Sequence, residues 1–433
     1  MPNSQKPSDL GVRNPLARWR EEFKEIFSAR VRESQLGFRH TWYLGALTLG
    51  TFAIQVATGI LLMLYYHPSI PQGYADMKDM QFVVPSGVLL RSLHRWSAHA
   101  MVFLVFAHMA KAFYRRAYFS PRQLNWVVGV GLLSLTVLLS YTGYLLPWDQ
   151  LSYWGTTVGA NIMSSIPLVG DRLRFTLLGG HTVNANALLR FYVLHTMILP
   201  LTAIMLVSIH LWRLHKDGGM YAASAEKPEA NPPPAGKEEA TLSYRELLLR
   251  EITGIQVLAL VLVLIALCWH APLEQLADPL HTPNPAKAPW YFTGLQELLH
   301  YFPPFIGGIV LPAQIILVLI VIPFFPAGVR GENLWGRNKP RRLLAAGTIV
   351  ALLSVLLIRV HAWDALLPVW IVATFMALAA TGFESDGFRG WLRSKGLAFW
   401  FMTWFLMEGV VLTAVGTLFR GPGWSWVWPW GGN

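Results

Sequence analysis

The strongest constraint on the fold is a set of nine apolar segments, each close to the roughly 20 residues that an α-helix needs to cross a bilayer. They lie near residues 42 to 66, 86 to 111, 124 to 146, 188 to 212, 251 to 270, 304 to 325, 343 to 359, 365 to 382 and 397 to 419. Hydrocarbon offers no partner to exposed backbone groups, so each segment must be helical. With 54% hydrophobic and 14% charged residues, a water-soluble globule is excluded. The sequence predicts an all-α integral membrane protein with about nine transmembrane helices.

The chain is basic, with 35 Lys and Arg against 24 Asp and Glu and a net charge of +11. If the amino terminus is cytoplasmic, most of the basic residues fall in connecting segments on that same side. The positive-inside rule then predicts a cytoplasmic amino terminus and an outer carboxy terminus. No targeting presequence is evident, which favours a prokaryotic plasma membrane. Alternate loops do not build one basic face, so we expect no binding to nucleic acid.

Composition changes along the chain suggest five regions. They are an amphipathic cytoplasmic amino terminus (1–41, with a surface-lying stretch over 16–31), a four-helix bundle (42–215), a cytoplasmic linker rich in Pro, Ala and Glu (216–250), a carboxy-terminal helical half (251–382), and an additional helix with a Trp-rich outer tail (383–433). The tail is interpreted as an aromatic anchor in the membrane interface or as a docking surface for a partner cytochrome.

Four histidines are candidates for the chemistry of the bundle. His94 and His108 lie 14 residues apart on the second segment, and His195 and His210 lie 15 apart on the fourth. At about 100° and 1.5 Å per residue, each pair returns to nearly one helix face after a rise of roughly 21 to 22 Å. Because the two segments run in the same direction, His94 pairs in depth with His195, and His108 with His210. Two imidazoles on opposite faces of a porphyrin suit electron transfer, so the spacing predicts two b-type haems with these histidines as iron ligands.

Any single histidine in a membrane segment is more simply a proton-relay group or a packed polar residue. Four of them at matched depths favour haem instead. His99 serves as an internal comparison, because it follows His94 by five residues and points about 140° away. We therefore expect that His99 is not a ligand. One cysteine, Cys268, excludes a CxxCH attachment of haem in this chain.

Small and basic residues lie at the depths of the histidines. Gly45 and Gly59 on the first segment, and Gly129 and Gly143 on the third, are again 14 apart and would let a flat ring approach the backbone. Ordinary packing of small residues between membrane helices is the alternative. Arg95 and Arg190 lie near the outer level and are candidates to pair with haem propionates, or else extend to the interface.

Three stretches carry a family resemblance: SLHRWSAHAMV around His94, GYLLPWDQLSYWG from Gly143 to Gly155, and RFYVLHTMILP around His195. Together they resemble the cytochrome b subunit of the quinol:cytochrome c and quinol:plastocyanin oxidoreductases. Residues 30–220 are most similar to the plastid and cyanobacterial branch. Residues 250–382 are similar to the carboxy-terminal part, which is a separate subunit IV in that branch.

The resemblance implies that the chain oxidises a quinol at an outer site. One electron would pass to a Rieske iron–sulfur protein and then to a c-type cytochrome. The other would pass through both haems to an inner quinone site, with coupled proton translocation. The family also implies a homodimer within a multisubunit complex in the membrane lipid, with menaquinone, ubiquinone or plastoquinone as substrate.

The sequence departs from the family at the outer pocket, where a PEWY motif supplies a carboxylate that accepts a quinol proton. Residues 288–291 read APWY, so the glutamate is absent. We predict that Glu297, six residues after Tyr291, takes this role in the pocket with Tyr291, because a helix starting near Pro289 would return its side chain there. Asp149 and His300 are reserve candidates. An interfacial position for Glu297 is the alternative.

Two further departures bear on function. Tyr43 stands where the plastid branch attaches an extra haem through cysteine, so a covalent third haem is not expected, while a noncovalent one stays open. The loss of the motif glutamate also leaves an alternative function. In that alternative the chain is a dihaem membrane anchor that passes electrons between the quinone pool and a different peripheral redox enzyme.

Overall fold

A computed structural model describes residues 30–32, 42–217, 241–325, 334–335, 338–381 and 387–430. These residues are mainly helical, as predicted. The exception is one short antiparallel pair, in which β1 (Arg30–Arg32) meets β2 (Thr241–Ser243) with Val31 opposite Leu242. The amphipathic stretch expected over 16–31 lies mostly outside the described residues, and its last residues, Arg30 and Val31, are in β1. Most of the expected linker, residues 218–240, also lies outside.

The amino-terminal half is a helical bundle. Its helices are α1 (Leu44–Met63), α2 (Gln72–Phe82), α3 (Gly87–Tyr114), α4 (Gln123–Tyr144), α5 (Gln150–Ser164), α6 (Gly170–Leu178), α7 (Ala185–Val193) and α8 (Leu199–Lys216). A π-helical turn, Leu194–Ile198, joins α7 to α8 in one continuous rod. Helices α1 and α3 pack together, as do α4 and α8, so each of the two histidine-bearing helices, α3 and α8, lies against a helix that carries two of the predicted glycines.

The carboxy-terminal half is also built of helices. They are α9 (Tyr244–Cys268), α10 (Trp290–Tyr301), α11 (Leu311–Val321), α12 (Lys339–Arg359), α13 (Trp363–Thr381), α14 (Gly387–Arg393) and α15 (Leu397–Leu418). A second π-helical turn, Ile306–Val310, precedes α11. The short helix α10 packs along α15, which also packs on α13.

Eight helices in the described part of the chain are long and apolar enough to span a membrane, compared with the nine predicted segments. The second predicted segment makes the difference. It forms α3, which has 28 residues and is therefore long enough, but which carries Arg91, Arg95 and Lys111. Arg91 is buried within the protein, so its charge does not face lipid.

Both π-helical turns come just before a Leu-Pro pair. Pro200 is the second residue of α8, and Pro312 is the second residue of α11. Proline lacks an N–H group, and its ring clashes with the carbonyl four residues earlier in a regular helix. A wider turn in front of the proline accommodates both effects, and such turns are frequent at functional sites.

The two halves share a core. Leu319, Ile322 and Met402 from the carboxy-terminal half pack with Trp126 and Val130 of α4. The indole N–H of Trp126 donates to the carbonyl of Leu319 at 2.7 Å. This contact stabilises the bundle against the second half of the chain.

Candidate cofactor site

The bundle holds two pairs of imidazoles at two depths. His94 on α3 lies beside His195 in the π-helical turn, with ring centres 6.3 Å apart and planes at 79°. His108 lies beside His210 on α8, with ring centres 6.5 Å apart and planes at 76°. These are the partners that the sequence spacing predicts.

The separation of the rings fits one metal ion between each pair. A metal–imidazole bond of about 2.0 Å and a distance of about 1.1 Å from nitrogen to ring centre put two opposed ring centres about 6.2 Å apart. No group of three or more His, Cys, Asp or Glu that could hold a metal occurs among the described residues. Two imidazoles alone leave the other positions to a planar macrocycle, so the pairs fit haem.

A threonine hydroxyl orients His94 for such a role. The hydroxyl of Thr58 donates its one hydrogen to the carbonyl of Ile54 at 2.6 Å, and its oxygen lies 2.8 Å from Nδ1 of His94. The hydroxyl must therefore accept from Nδ1–H, which assigns the proton to Nδ1. The lone pair of Nε2 is then available to a metal.

Thr142 makes the same arrangement for His195. Its hydroxyl donates to the carbonyl of Leu138 at 2.9 Å and lies 3.2 Å from Nδ1 of His195. The imidazoles of His94 and His195 thus both have Nδ1 beside a threonine hydroxyl and the Nε2 lone pair available. The sequence analysis missed both threonines, although each lies one residue before a predicted glycine.

The four predicted glycines each face one imidazole edge. A Cβ added at Gly45 or Gly59 would lie 3.3 Å from Cε1 of His108 or His94, respectively. At Gly143 the distance to Cε1 of His195 would be 2.5 Å, whereas at Gly129 the distance to His210 would be 3.6 Å. The glycines make room for the imidazoles, and the need for glycine is greatest at position 143.

The pair formed by His94 and His195 lines a cavity between α1, α3, α4 and the continuous rod that contains the turn Leu194–Ile198. His94, His195, Arg95, Tyr144 and Tyr291 are among its lining residues. The predicted partner Arg95 and the predicted pocket residue Tyr291 therefore line the same cavity. Such a cavity, with a few polar groups on apolar walls, suits a cofactor or a small ligand.

Arg190 is placed elsewhere by the structure. Its side chain is exposed and donates to the carbonyl of Thr176. Arg91, which the sequence analysis did not select, lines the cavity instead. Its guanidinium donates to the carbonyls of Ala271 and Pro272 and so connects the bundle to the loop after α9.

Glu297 lies in an ion pair rather than on the cavity. It is fully buried, and its carboxylate accepts bonds from Nε and Nη2 of Arg420 at 2.9 and 2.8 Å. Arg420 follows α15 and is 123 residues away in sequence. The expectation that Glu297 turns toward the pocket of Tyr291 is therefore not what the geometry shows, because this buried guanidinium holds the carboxylate on the side of α15.

The reserve candidates, Asp149 and His300, make contacts with other parts of the protein. Asp149 caps α5 by accepting from the backbone N–H of Ser152 at 2.9 Å, and its other oxygen accepts from the N–H of Glu274 at 3.2 Å. Both oxygens are thus engaged in joining two loops. His300 is exposed and contacts the ring of Tyr301.

His99 is directed away from the imidazole pairs, as expected. Its Nδ1 accepts from the indole N–H of Trp290 at 2.8 Å, and its ring lies 5.4 Å from that of Tyr291. It therefore supports the APWY stretch at the start of α10.

The fold and site together define a class: an integral membrane helical bundle with two paired-imidazole sites, as membrane cytochromes have. Residues 33–218 match the family model described as cytochrome b/b6/petB, and residues 276–355 match the one described as cytochrome b(C-terminal)/b6/petD.

Similar proteins agree with both matches. Cytochrome b6 of Heliomicrobium gestii is 43% identical over 175 residues, covering 40% of this chain and 82% of that protein. Cytochrome b of Acanthamoeba castellanii is 30% identical over 300 residues, covering 67% and 74%. A solved structure, the hyperthermophilic respiratory Complex III, has the same fold, with a TM-score of 0.64, 24% identity and coverage of 93% and 97%.

The chain belongs to the cytochrome b/b6 family. It is the transmembrane cytochrome b core of a quinol oxidoreductase of the quinol:cytochrome c or quinol:plastocyanin type, and it acts in electron transfer. The family implies b-type haems, which agrees with the fit of the imidazole pairs.

Proposed function

We propose that His94 and His195 ligate one b-type haem near the outer side and that His108 and His210 ligate a second near the cytoplasmic side. The observation that carries this proposal is the pair of ring separations, 6.3 and 6.5 Å, each suited to one metal between two imidazoles. A haem bound by these residues would supply a one-electron carrier.

The chain's own residues prepare the outer site. Thr58 and Thr142 hold the imidazoles in the tautomer that leaves Nε2 unprotonated. The side chain of Gln55 donates to the carbonyl of His94 at 2.6 Å and to the hydroxyl of Ser97 at 2.7 Å, which fixes the backbone that carries the ligand. A site whose ligands do not move needs little reorganisation on electron transfer.

Quinol oxidation is assigned to the end of the outer cavity at Tyr144 and Tyr291, beside the part between His94 and His195 that a haem would fill. Tyr291 and Tyr144 contribute to the same lining as His195, so an aromatic quinol held there lies close to the outer imidazoles. Arg95 supplies a positive charge in this lining, suited to a haem propionate. Glu297 acts as a positioning residue for α10, through Arg420, rather than as the proton acceptor expected from the sequence.

The remaining assignments follow the family and the charge distribution. The amino terminus is cytoplasmic in a prokaryotic plasma membrane, with the carboxy terminus outside. The chain works as a homodimer with a Rieske iron–sulfur protein and a c-type cytochrome. Quinone is reduced near the inner imidazole pair, and its identity is menaquinone, ubiquinone or plastoquinone. The five-region division predicted from the sequence, with a dihaem bundle over 42–215, is part of the same proposal.

Single histidine variants of the purified complex test the ligand assignment. His94→Ala and His108→Ala should each remove one b-type haem, so that the ratio of b-type haem to this chain falls to about half. His99→Ala is the matched control on the same helix and should keep both haems. Full haem content in both ligand variants would contradict the proposal. Quinol:cytochrome c reduction by the wild-type complex separates the quinol oxidase core from an anchor of another redox enzyme.

A further inference from the structure

A cluster of charged and polar side chains lies between α10, α13, α15 and the segment after α15. We call it the outer charge cluster, and its members are Glu297, Tyr301, Asp364, Glu408 and Arg420. It holds three carboxyl groups and one guanidinium. The cluster lies outside the imidazole bundle, and quinol oxidation as assigned above does not use its carboxyl groups.

One of the three carboxyl groups is fully compensated. Glu297 is 0% exposed, and Arg420 approaches both of its oxygens, with Nε and Nη2 at 2.9 and 2.8 Å. Two charge-assisted hydrogen bonds to one guanidinium compensate the charge of this buried carboxylate. This pair uses the one positive charge that the cluster contains.

Asp364 is partly compensated. Its Oδ1 accepts from the hydroxyl of Tyr301 at 2.7 Å and from the N–H of Ala365 at 3.0 Å, at the start of α13 where the helix dipole favours an anion. Burial raises the pKa of Tyr301, so its hydroxyl keeps its hydrogen for this bond. The side chain of Asp364 is 7% exposed, and its Oδ2 has no hydrogen-bond partner in the part of the chain that the structure describes. Arg420 lies 3.9 Å away.

Glu408 has no compensating charge. It lies within α15, and its buried Oε2 has no hydrogen-bond partner among the residues described. The charged group in electrostatic reach of Glu408 is Asp364, which has the same sign. Leu412, one turn later on α15, packs with Ala365, so Glu408 lies deeper in the membrane than Asp364. The indole of Trp404 is the polar side chain in reach of the carboxyl group. An ionised Glu408 would therefore be a half-buried charge beside a like charge with no opposite charge to offset it, which is unfavourable.

We propose that Glu408 is a proton-binding site: its carboxyl group carries a proton, and Asp364 and Tyr301 connect it to the outer end of the bundle. Binding converts the carboxylate to a neutral carboxyl, and release returns the proton to water on the outer side. Carboxyl groups within membrane helices serve as proton relays in proteins that move protons across the membrane. The link to protons released by quinol oxidation rests on the proposed function, whereas the protonation of Glu408 does not.

Infrared spectroscopy of the purified complex tests the site. The wild type should show a protonated-carboxyl C=O band that shifts in D2O, Glu408→Gln should abolish it, and Asp364→Asn should move it. Glu246→Gln is the control, because Glu246 is half exposed and paired with Arg250 at 2.7 Å, and it should leave the band unchanged.

A band that persists in Glu408→Gln would overturn the proposal. If that variant does not assemble, the wild type alone decides, since the absence of any protonated-carboxyl band in it overturns the proposal equally. Haem content and quinol oxidation are measured on the same samples. If the wild type shows the infrared band but neither haem nor quinol oxidation, the proposed function is rejected and the proton-binding site at Glu408 is retained.

Discussion

At the level of single residues, hydroxyl groups on the helices that pack beside the histidines decide which imidazole nitrogen faces the cofactor. Thr58 and Thr142 each use their hydrogen on a backbone carbonyl, so each can only accept from Nδ1. Partners of this kind orient a ligand and raise its basicity. Each threonine thus orients an imidazole for a bond to the metal in which the threonine itself takes no part.

Thr58→Val tests this control. The substitution removes the acceptor for Nδ1–H of His94, and we expect roughly 10- to 100-fold weaker retention of the outer haem. Thr51→Val is the matched control, because the hydroxyl of Thr51 on the same helix bonds only to the carbonyl of Thr48. Haem occupancy after a dilution chase gives the readout. Equal retention in both variants would show that the hydroxyl of Thr58 does not act on the ligand.

A second residue pair compares two glycines of one helix. Gly143→Ala puts a Cβ 2.5 Å from Cε1 of His195, a distance that real contacts do not reach, so the ring must shift and the outer haem should be lost or perturbed. Gly129→Ala puts it 3.6 Å from His210, an ordinary contact, and should leave the inner haem in place. Redox titration of both haems in each variant distinguishes them. A perturbed inner haem in Gly129→Ala would contradict this expectation.

At the level of elements, the π-helical turn accounts for the unequal histidine spacing. His94 and His108 are 14 residues apart in a regular helix, whereas His195 and His210 are 15 apart with His195 inside the turn Leu194–Ile198. The wider turn absorbs one extra residue. His195 and His210 therefore lie on one face of their continuous rod, opposite His94 and His108 on α3.

A deletion tests this account. Removing Met197 together with Pro200→Ala should convert the π turn to a regular helix with 14-residue spacing, and both haems should remain. Removing Phe103, an exposed residue in the regular part of α3, is the control. That deletion rotates His94 by about 100° relative to His108, so one haem should be lost. Loss of a haem in the first variant but not in the second would refute the account.

Helix α10 depends on the ion pair between Glu297 and Arg420. Arg420→Gln leaves a fully buried carboxylate without its positive partner, and we expect about 3 to 5 kcal/mol of destabilisation. Arg250→Gln breaks an exposed pair with Glu246 and should change the stability much less, because solvent screens that pair. Thermal unfolding of the complex, with the haem spectrum recorded in parallel, compares them. Similar unfolding temperatures for the two variants would mean that the buried pair does not stabilise α10.

At the level of the whole molecule, the two halves are joined by contacts as well as by the chain. Arg91 donates to the carbonyl of Ala271 at 2.8 Å, Trp126 donates to that of Leu319, and the hydroxyl of Tyr74 donates to that of Glu274 at 2.9 Å. These bonds are buried or partly buried, where an unpaired group is costly. We therefore expect that the halves associate even without their connection in sequence.

Coexpression of residues 1–229 and 230–433 as separate chains tests this association. We expect the two chains to copurify from the membrane with both haems. Arg91→Leu in the separated form should reduce copurification several-fold, since the tether no longer keeps the halves at an effective concentration in the mM range. The same substitution in the intact chain should have less effect. Failure of the unmutated halves to copurify would show that the tether is essential.

Much of the protein could be predicted because its strongest signals are local. Apolar runs of membrane length predict helices from the need to pair backbone groups, and histidines at 14 and 15 residues predict a shared face from helix geometry. Neither argument needs a partner from elsewhere in the chain. The pairing of His94 with His195 needed one further step, the common direction of the two helices, and the structure has that pairing.

What depends on distant parts of the chain was decided by the tertiary structure. Glu297 meets Arg420 across 123 residues, and Arg190 turns to Thr176 instead of the cavity. Helix α3 can carry a buried charge because the guanidinium of Arg91 donates to carbonyls of the loop after α9. Local periodicity predicts on which face of a helix a charge lies. Only tertiary packing brings the group that compensates this charge. That group determines whether the charged residue contributes to a functional site or to the stability of the fold.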